Sequence, residues 1–209
     1  MDVMFRWTAV YLSLFIVLIF VIQIIIPSIT DSLLLVSSEV IQRPWILVTS
    51  IFLHVDLRHL MGNIFGLVVF GLLLEKVIGY RKFLLVFFIT GIIAGISALF
   101  LYDRVLGVSG ALFGIIGTLT ALRPRMFMYI PGLTYLPMIA AAFIYLLLDL
   151  GGLFYPSNIA NLSHIAGLIS GVFIGILWRK QFPETKKSRR EKIVSDEDLD
   201  NWEKEYMKR

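Results

Sequence analysis

The sequence contains no cysteine. This absence excludes disulfide frameworks, thiolate metal sites, iron–sulfur clusters and a cysteine nucleophile. Histidine is scarce as well, since the 209 residues include only His54, His59 and His164. Polar groups are costly inside a membrane and tend to mark function, so each histidine of so apolar a chain is a candidate.

Charged residues are also scarce. They make up 16% of the chain, whereas hydrophobic residues make up 58% and the mean hydropathy is +0.84. A soluble domain carries about a quarter charged residues and is at most about half apolar, so the composition excludes a soluble globular enzyme. Disorder is excluded too, because it requires low hydrophobicity. The composition therefore predicts a polytopic membrane protein.

Six apolar segments are interpreted as membrane helices, given that a bilayer core of about 30 Å takes roughly 20 residues of helix. The predicted spans are residues 7–26, 57–74, 83–101, 109–122, 136–150 and 162–178. The fourth is short, with 14 residues before Arg123. The predicted fold is an all-α membrane protein, a six-transmembrane-helix bundle with a short central fourth helix.

Basic residues predict the topology of this bundle. With the N-terminus in the cytoplasm, the inside segments hold 16 of the 19 Lys and Arg residues, and the outside segments hold only Arg43, Arg58 and Arg104. Lys and Arg favour the cytoplasmic side, so both termini are expected there. No basic stripe runs among exposed aromatics, so nucleic-acid binding is not expected.

The last 31 residues differ from the rest. Residues 179–209 hold ten Lys and Arg and eight Asp and Glu, more charge than all preceding residues together. We therefore expect a membrane domain over residues 1–178 and a charged cytoplasmic tail over residues 179–209. The sequence shows no targeting extension, and this predicts a multi-pass protein of a prokaryotic plasma membrane, in contact with membrane lipid.

The first outside connection, residues 27–56, is long. It carries apolar runs at residues 46–48 and 51–53, after Pro44 and Trp45, that are too short to span a bilayer. An interfacial segment anchored by Trp45 and a buried surface loop are equally compatible with this pattern.

Ser109 stands at the start of the short fourth span, between Gly107-Val108 and Gly110. The glycines let backbone and substrate approach, and a helix start favours an anion. A helix too short to span can also begin below the membrane surface. The Gly-x-Ser-x-Gly pattern of soluble hydrolases is not met, because the second residue after Ser109 is Ala111.

Three more polar residues lie in predicted spans. His164 is near the start of the sixth, with Gly167 and Gly171 on about the same side, and it is either interfacial or packed against another helix. His59 and Asn63 are one turn apart on the second span. They either bond to each other or to a neighbouring helix, or they supply two donors to an oxyanion.

Two polar residues are given no catalytic function from the pattern alone. His54 is about 140° from His59 on a helix, and the sequence has no His-Glu-x-x-His motif, so no metal site is predicted. Asp149 lies near a helix end without an evident partner, and we interpret it as interfacial.

Glycines recur at four-residue spacing. They form the pairs Gly62/Gly66, Gly91/Gly95 and Gly110/Gly114 and the series Gly167/Gly171/Gly175. Such faces let transmembrane helices approach closely. The spacing predicts contact between the fourth and sixth spans, which would bring Ser109 and His164 together.

In combination these residues resemble the rhomboid family of intramembrane serine proteases. The matching motifs are Gly-Val-Ser-Gly-Ala-Leu-Phe-Gly at residues 107–114, His164 with Gly167 and Gly171, His54-x4-His59-x3-Asn63, and Glu75 with Gly79. The six-span topology and the long first outside loop are similar as well. The resemblance covers about residues 7–178.

The resemblance implies a serine endopeptidase that cleaves a membrane-anchored protein substrate near the outer face, without a cofactor. Ser109 is then the nucleophile, and His164 is the general base and later the acid for the leaving amine. The family works with a Ser–His dyad, so no third member is expected.

The resemblance also implies an oxyanion hole made of the backbone N–H of Ser109 and the side chains of His59 and Asn63. The implied supporting residues are Gly107, which shapes the turn before the serine, Phe113, whose ring packs beneath the histidine, and His54, in the adjoining loop.

Two other functions fit parts of the pattern. An inactive rhomboid-like protein that binds transmembrane helices as a chaperone or scaffold would share the fold, but Ser109 and His164 are both present. A small transporter or channel would line a polar path with His and Asn. Transporters usually have two repeated halves, and the sequence has no such repeat.

Overall fold

The structure is a computed structural model, and it describes residues 4–130, 134–154, 159–184, 205 and 207. Within these residues the α-helices are α1 (Thr8–Ile25), α2 (Ser28–Leu33), α3 (Ile46–Thr49), α4 (Leu57–Ile78), α5 (Tyr80–Ala98), α6 (Ser109–Leu122), α7 (Met138–Gly152) and α8 (Asn161–Trp178). The strands are β1 (Leu35–Val36), β2 (Arg104–Val105), β3 (Phe127–Ile130) and β4 (Thr134–Pro137).

In the described part of the chain, four helices are long and apolar enough to cross a membrane, namely α1, α4, α5 and α8. They correspond to the first, second, third and sixth predicted spans. The other two predicted spans also form apolar helices, but α6 and α7 are shorter, with 14 and 15 residues. The predicted fourth span coincides with α6 at both ends.

The second predicted span ended before Glu75, but α4 continues for another turn. The acidic Glu75 can lie in this turn, although it is fully buried, because its carboxylate has hydrogen-bond partners. Its carboxylate accepts hydrogen bonds from the N–H groups of Arg6 and Ala9, at 2.9 and 3.2 Å, and from the hydroxyl of Thr8, at 2.8 Å. Three donors from the start of α1 compensate the burial of this acid. Gly79, with φ of 81°, then ends α4 and turns the chain into α5.

The structure is mostly helical, in keeping with the predicted all-α membrane fold, but its described residues also contain two small antiparallel sheets that were not predicted. β1 pairs with β2, with Leu35 opposite Val105. β3 and β4 form a hairpin before α7, in which Met128 is opposite Leu136. The β-forming residues of this hairpin include Phe, Tyr, Ile and Thr. Since Leu136 belongs to β4, α7 begins two residues later than the predicted fifth span.

α6 is the central helix, with 11 of its 14 residues buried. It packs against α4, α5, α7 and α8. Its contact with α8 is backbone against backbone, and we call it the glycine seam. A Cβ atom at Gly167 would lie 2.1 Å from the carbonyl oxygen of Gly110, and one at Gly171 would lie 2.0 Å from that of Gly114. The predicted contact between the fourth and sixth spans is therefore confirmed.

The first outside connection folds against the bundle through α2, α3 and β1. Ile46, Ile51 and Leu53 are buried, whereas the side chain of Trp45 is 53% exposed. The buried-loop interpretation therefore applies to the apolar runs, and Trp45 lies at the protein surface.

Packing continues beyond α8 into the first residues of the predicted tail. Phe182 is buried in the main core. The guanidinium of Arg123 donates to its carbonyl over 2.9 Å, and the ammonium of Lys82 lies 4.5 Å from the centre of its ring. Most of the predicted tail lies outside the described residues.

Candidate active site

Ser109 is held where a short loop turns into α6. Pairing with β1 fixes β2, and the N–H of Gly107 donates to the carbonyl of Ser50 over 2.9 Å. Gly107 has φ of +123°, a conformation that other residues rarely adopt. The buried Val108 follows with helical dihedral angles, and it has no side-chain oxygen to cap the first amides of α6. Ser109 is therefore the first residue of a helix whose start lacks a side-chain cap.

His164 lies in the first turn of α8, directly beside Ser109. Its Nε2 atom is 2.9 Å from Oγ of Ser109, which is hydrogen-bond distance. The ring of Phe113 is stacked on the imidazole, with centroids 4.3 Å apart and an interplanar angle of 7°. Tyr145 meets the ring of Phe113 edge-on at 5.6 Å. This stack restricts rotation of the imidazole and holds Nε2 toward the hydroxyl.

The interpretation of Asp149 as an interfacial residue without a partner is wrong. Its Oδ1 atom is 2.9 Å from Nδ1 of His164, and the side chains of the two residues are 9% and 12% exposed. Sequence reasoning missed this contact because the two residues lie on different helices. The available signal was an acidic residue within an apolar segment, which is a functional candidate by default.

The predicted oxyanion residues lie on α4, and one of them faces the serine. A Cβ atom built on Gly107 would lie 3.0 Å from Cε1 of His59, 3.4 Å from its Nε2 and 3.9 Å from Oγ of Ser109. The imidazole of His59 and the serine hydroxyl therefore border the same small space over Gly107. The buried Asn63 donates its amide to the carbonyl of His59 over 3.1 Å. A side-chain amide has two N–H donors, so this bond leaves capacity for another acceptor.

His54 lies in the loop before α4, where Gln23 of α1 holds its backbone. The amide of Gln23 donates to the carbonyl of His54 over 3.2 Å and accepts from its N–H over 3.0 Å. The ring of His54 lies edge-on to that of His59, with centroids 5.2 Å apart. Both ring nitrogens of His54 are buried. Gln23 thus fixes the backbone of the loop that carries His54, and no sequence motif marks it.

The buried ring of His54 makes stability depend on pH. Burial lowers the pKa of His54 to about 4, and the neighbouring His59 acts in the same direction. Between pH 4 and its ordinary pKa of about 6.5, His54 binds a proton only in the unfolded chain. His54 therefore does not lower the free energy of unfolding above pH 6.5. As the pH falls toward 4, proton uptake by the unfolded chain lowers that free energy by about 3 kcal/mol in total.

Replacement of His54 by phenylalanine removes this proton uptake. The decrease in unfolding temperature between pH 7 and pH 5 is expected to be smaller in the variant than in the wild type, measured in the same detergent. The unfolding temperature of each protein at pH 5 is compared with its own value at pH 7, so an effect of the substitution on packing is subtracted. Equal decreases in the two proteins would contradict the assignment of this pH dependence to His54.

The described residues bring no three His, Asp or Glu side chains together in a way that could hold a metal ion. What the site offers is a hydroxyl beside an imidazole, with N–H donors and a helix N-terminus nearby. This is the arrangement required for nucleophilic attack on a carbonyl group.

A family model described as the Rhomboid domain matches residues 42–181, which is more than half of the chain. The chain belongs to the rhomboid family. This match confirms the family that the sequence motifs indicated. The family membership and the apolar helices together identify a membrane-embedded rhomboid protein.

Several curated relatives are similar to this rhomboid. Rhomboid protease GluP of Bacillus subtilis (strain 168) is 37% identical over 134 residues, which cover 62% of this chain and 25% of that protein. RHOMBOID-like protein 6, mitochondrial, of Arabidopsis thaliana is 34% identical over 139 residues, or 64% and 43% of the two chains. Inactive RHOMBOID-like protein 8 of the same plant is 30% identical over 158 residues, which cover 73% of this chain and 44% of that protein.

The rhomboid described here spans less than half the length of each of these three relatives. One of them is named a protease and another is named inactive. Family membership alone therefore does not distinguish an active member from an inactive one, whereas the geometry of the site can.

Proposed function

We propose that this rhomboid is an active intramembrane serine endopeptidase that cleaves membrane-anchored proteins near the outer face of the membrane. The observation that carries the proposal is the 2.9 Å contact between Oγ of Ser109 and Nε2 of His164. An inactive protein that only binds transmembrane helices has no need for an aligned nucleophile and base. Such a binder is the alternative function, in keeping with the inactive relative.

The proposed reaction begins when Oγ of Ser109 attacks the carbonyl carbon of the scissile bond and Nε2 of His164 takes the hydroxyl proton. The carbonyl electrons move to the oxygen. When the tetrahedral intermediate collapses, the C–N bond breaks and His164 gives the proton to the leaving amine. Water then hydrolyses the acyl-enzyme, with His164 again as the base.

The developing oxyanion is assigned to the space over Gly107. His59 borders this space together with Ser109, and Asn63 lies one turn further along α4. The backbone N–H of Ser109 belongs to the positive end of the α6 dipole, which favours an anion. Donors placed in advance for this charge lower the barrier without reorganisation during the reaction.

The proposed membrane arrangement has six spans, with α6 and α7 as the short fourth and fifth and both termini in the cytoplasm of a plasma membrane. A 14-residue α6 is about 21 Å long, so its N-terminus can lie below a surface of the roughly 30 Å bilayer core. Irregular backbone such as that at Gly107 is tolerated at this depth where it lines a cavity open to water.

The substrate segment must unwind to present a carbonyl, so Gly, Pro or small residues near the cut are expected. The test uses purified protein in liposomes with a single-span reporter that carries Gly and Pro near its outer end. The matched reporter has Leu in their place. Faster cleavage of the Gly/Pro reporter is expected, whereas reporter binding without cleavage by the folded protein would favour the inactive binder.

Replacement of Asn63 by alanine is expected to lower kcat about 10²–10³-fold without abolishing cleavage, because it removes one oxyanion donor. The reporter assay in liposomes measures this change. The unfolding temperature should change little, since the one hydrogen bond lost is to the carbonyl of His59 within α4. A kcat equal to that of the wild type would contradict the oxyanion assignment.

A further inference from the structure

The imidazole of His164 has a partner at each ring nitrogen. Nε2 is 2.9 Å from Oγ of Ser109, and Nδ1 is 2.9 Å from Oδ1 of Asp149. A carboxylate that accepts a hydrogen bond at this contact requires the neutral ring to carry its proton on Nδ1. Nε2 then carries the lone pair that accepts the hydroxyl proton of the serine. The position of Asp149 thus fixes the tautomer that a general base requires.

The placement of Asp149 is built into the packing of α7 against α8. One turn after Asp149, a Cβ atom at Gly152 would lie 2.6 Å from the side chain of Asn161. Residues three apart share a helix face, so the side of α7 that carries Asp149 is the side that touches α8. The imidazole is bordered by Asp149 at one nitrogen, by Ser109 at the other and by Phe113 on one ring face.

The burial of Asp149 indicates at which step of the reaction its charge stabilises His164. A carboxylate at membrane depth is costly unless it is paired, and the described residues give Asp149 only His164 as a partner of opposite charge. That partner becomes an imidazolium when it accepts the proton of Ser109. The attraction is then stronger in the transition state than in the ground state, which is the condition for an interaction to increase the rate.

We propose that Asp149 is a positioning residue that orients His164 through Nδ1 and stabilises its imidazolium, so that Ser109, Asp149 and His164 act as a triad. This inference rests on the proposed peptidase function and goes beyond the dyad implied by the family resemblance. The proton still moves only between Oγ of Ser109, Nε2 of His164 and the leaving amine, and Asp149 takes no part in the transfer. Triads are defined by geometry and not by the fold that carries them.

The first test compares the rate of Ser109 labelling by a fluorophosphonate in the wild type and in Asp149→Asn. An Asn side chain can donate to Nδ1 and so favours the wrong tautomer. The corresponding change lowers kcat about 10⁴-fold in a soluble serine protease, and we expect a decrease of at least about 10²-fold here. The exposed Asp103 supplies the matched control, and Asp103→Asn should label at the wild-type rate. Labelling of Asp149→Asn at that rate would overturn the proposal.

The second test needs neither activity nor a variant of Asp149. Nitrogen-15 NMR of the wild type with labelled histidine reports which ring nitrogen carries the proton, and His164→Ala identifies the signals of His164. A proton on Nδ1 at neutral pH is expected, and a neutral ring protonated on Nε2 would overturn the inference. If the fluorophosphonate does not react with the folded wild type at all, the proposed peptidase function fails. The NMR measurement still decides whether Asp149 holds the ring.

Discussion

Replacement of Ser109 by alanine is expected to abolish the mass increase that a fluorophosphonate or isocoumarin produces on the intact protein. In the proposed mechanism the hydroxyl oxygen of Ser109 forms the covalent bond, and no other group of the side chain can replace it. Replacement of His164 by alanine removes the proposed base, whose Nε2 atom lies 2.9 Å from Oγ of Ser109. Loss of such a base lowers kcat about 10⁶-fold in a soluble serine protease, which is below detection here.

Ser170→Ala is the matched control for this measurement. Ser170 lies on α8 with His164, but its hydroxyl donates to the carbonyl of Gly167 over 2.9 Å within the helix. The variant should therefore acquire the adduct as the wild type does. An adduct of the same mass on Ser109→Ala would assign the reactive group to another residue. No adduct on folded wild type, with several probe chemistries, would favour the inactive binder.

Replacement of Gly171 by alanine is expected to damage both stability and activity, although it adds a single methyl group. The new Cβ atom would lie 2.0 Å from the carbonyl oxygen of Gly114, whereas real Cβ atoms are essentially never within 3.0 Å of another heavy atom. The contact atom is backbone, so α6 and α8 must separate by about 1 Å. Overpacking of this kind costs about 1–3 kcal/mol or more. A misplacement of that size between reacting groups can lower the rate about 10²-fold.

Thermal unfolding in detergent and the rate of probe labelling measure the two effects of Gly171→Ala. Gly62→Ala is the matched control for folding, because a Cβ atom at Gly62 has no neighbour within 4 Å. The control should keep the unfolding temperature of the wild type. An equally small change in both variants would show that the two helices are not in backbone contact at Gly171.

Hydropathy predicted the course of the chain well, because the membrane and the protein interior both require apolar residues. The boundaries of α6 were predicted at both ends, and the glycine spacing predicted its contact with α8. The end of α4 was missed, since the carboxylate of Glu75 accepts hydrogen bonds from N–H groups in and just before α1, 66 and 69 residues earlier in the chain. Such long-range compensation leaves no local pattern.

The site was predictable only in part, for a similar reason. Ser109, His164 and His59 lie in recognisable motifs, and the structure places their side chains around Gly107 and Phe113. Asp149 lies in no motif. Its contact with His164 could not be predicted from the sequence, because the contact depends on how α7 is rotated against α8. That rotation follows from packing, here at Gly152 and Asn161, and the order of residues does not encode it directly.

The glycine seam also determines where this protein can tolerate mutation. Backbone atoms at Gly110, Gly114, Gly167 and Gly171 bring α6 and α8 together, so the spacing of the two helix backbones that carry Ser109 and His164 does not depend on larger side chains. The lipid-facing residues of α1 and α7 can then drift in sequence without altering that distance. We expect substitutions to accumulate on these outer helices and in the loops among descendants of this chain, while the four glycines stay unchanged.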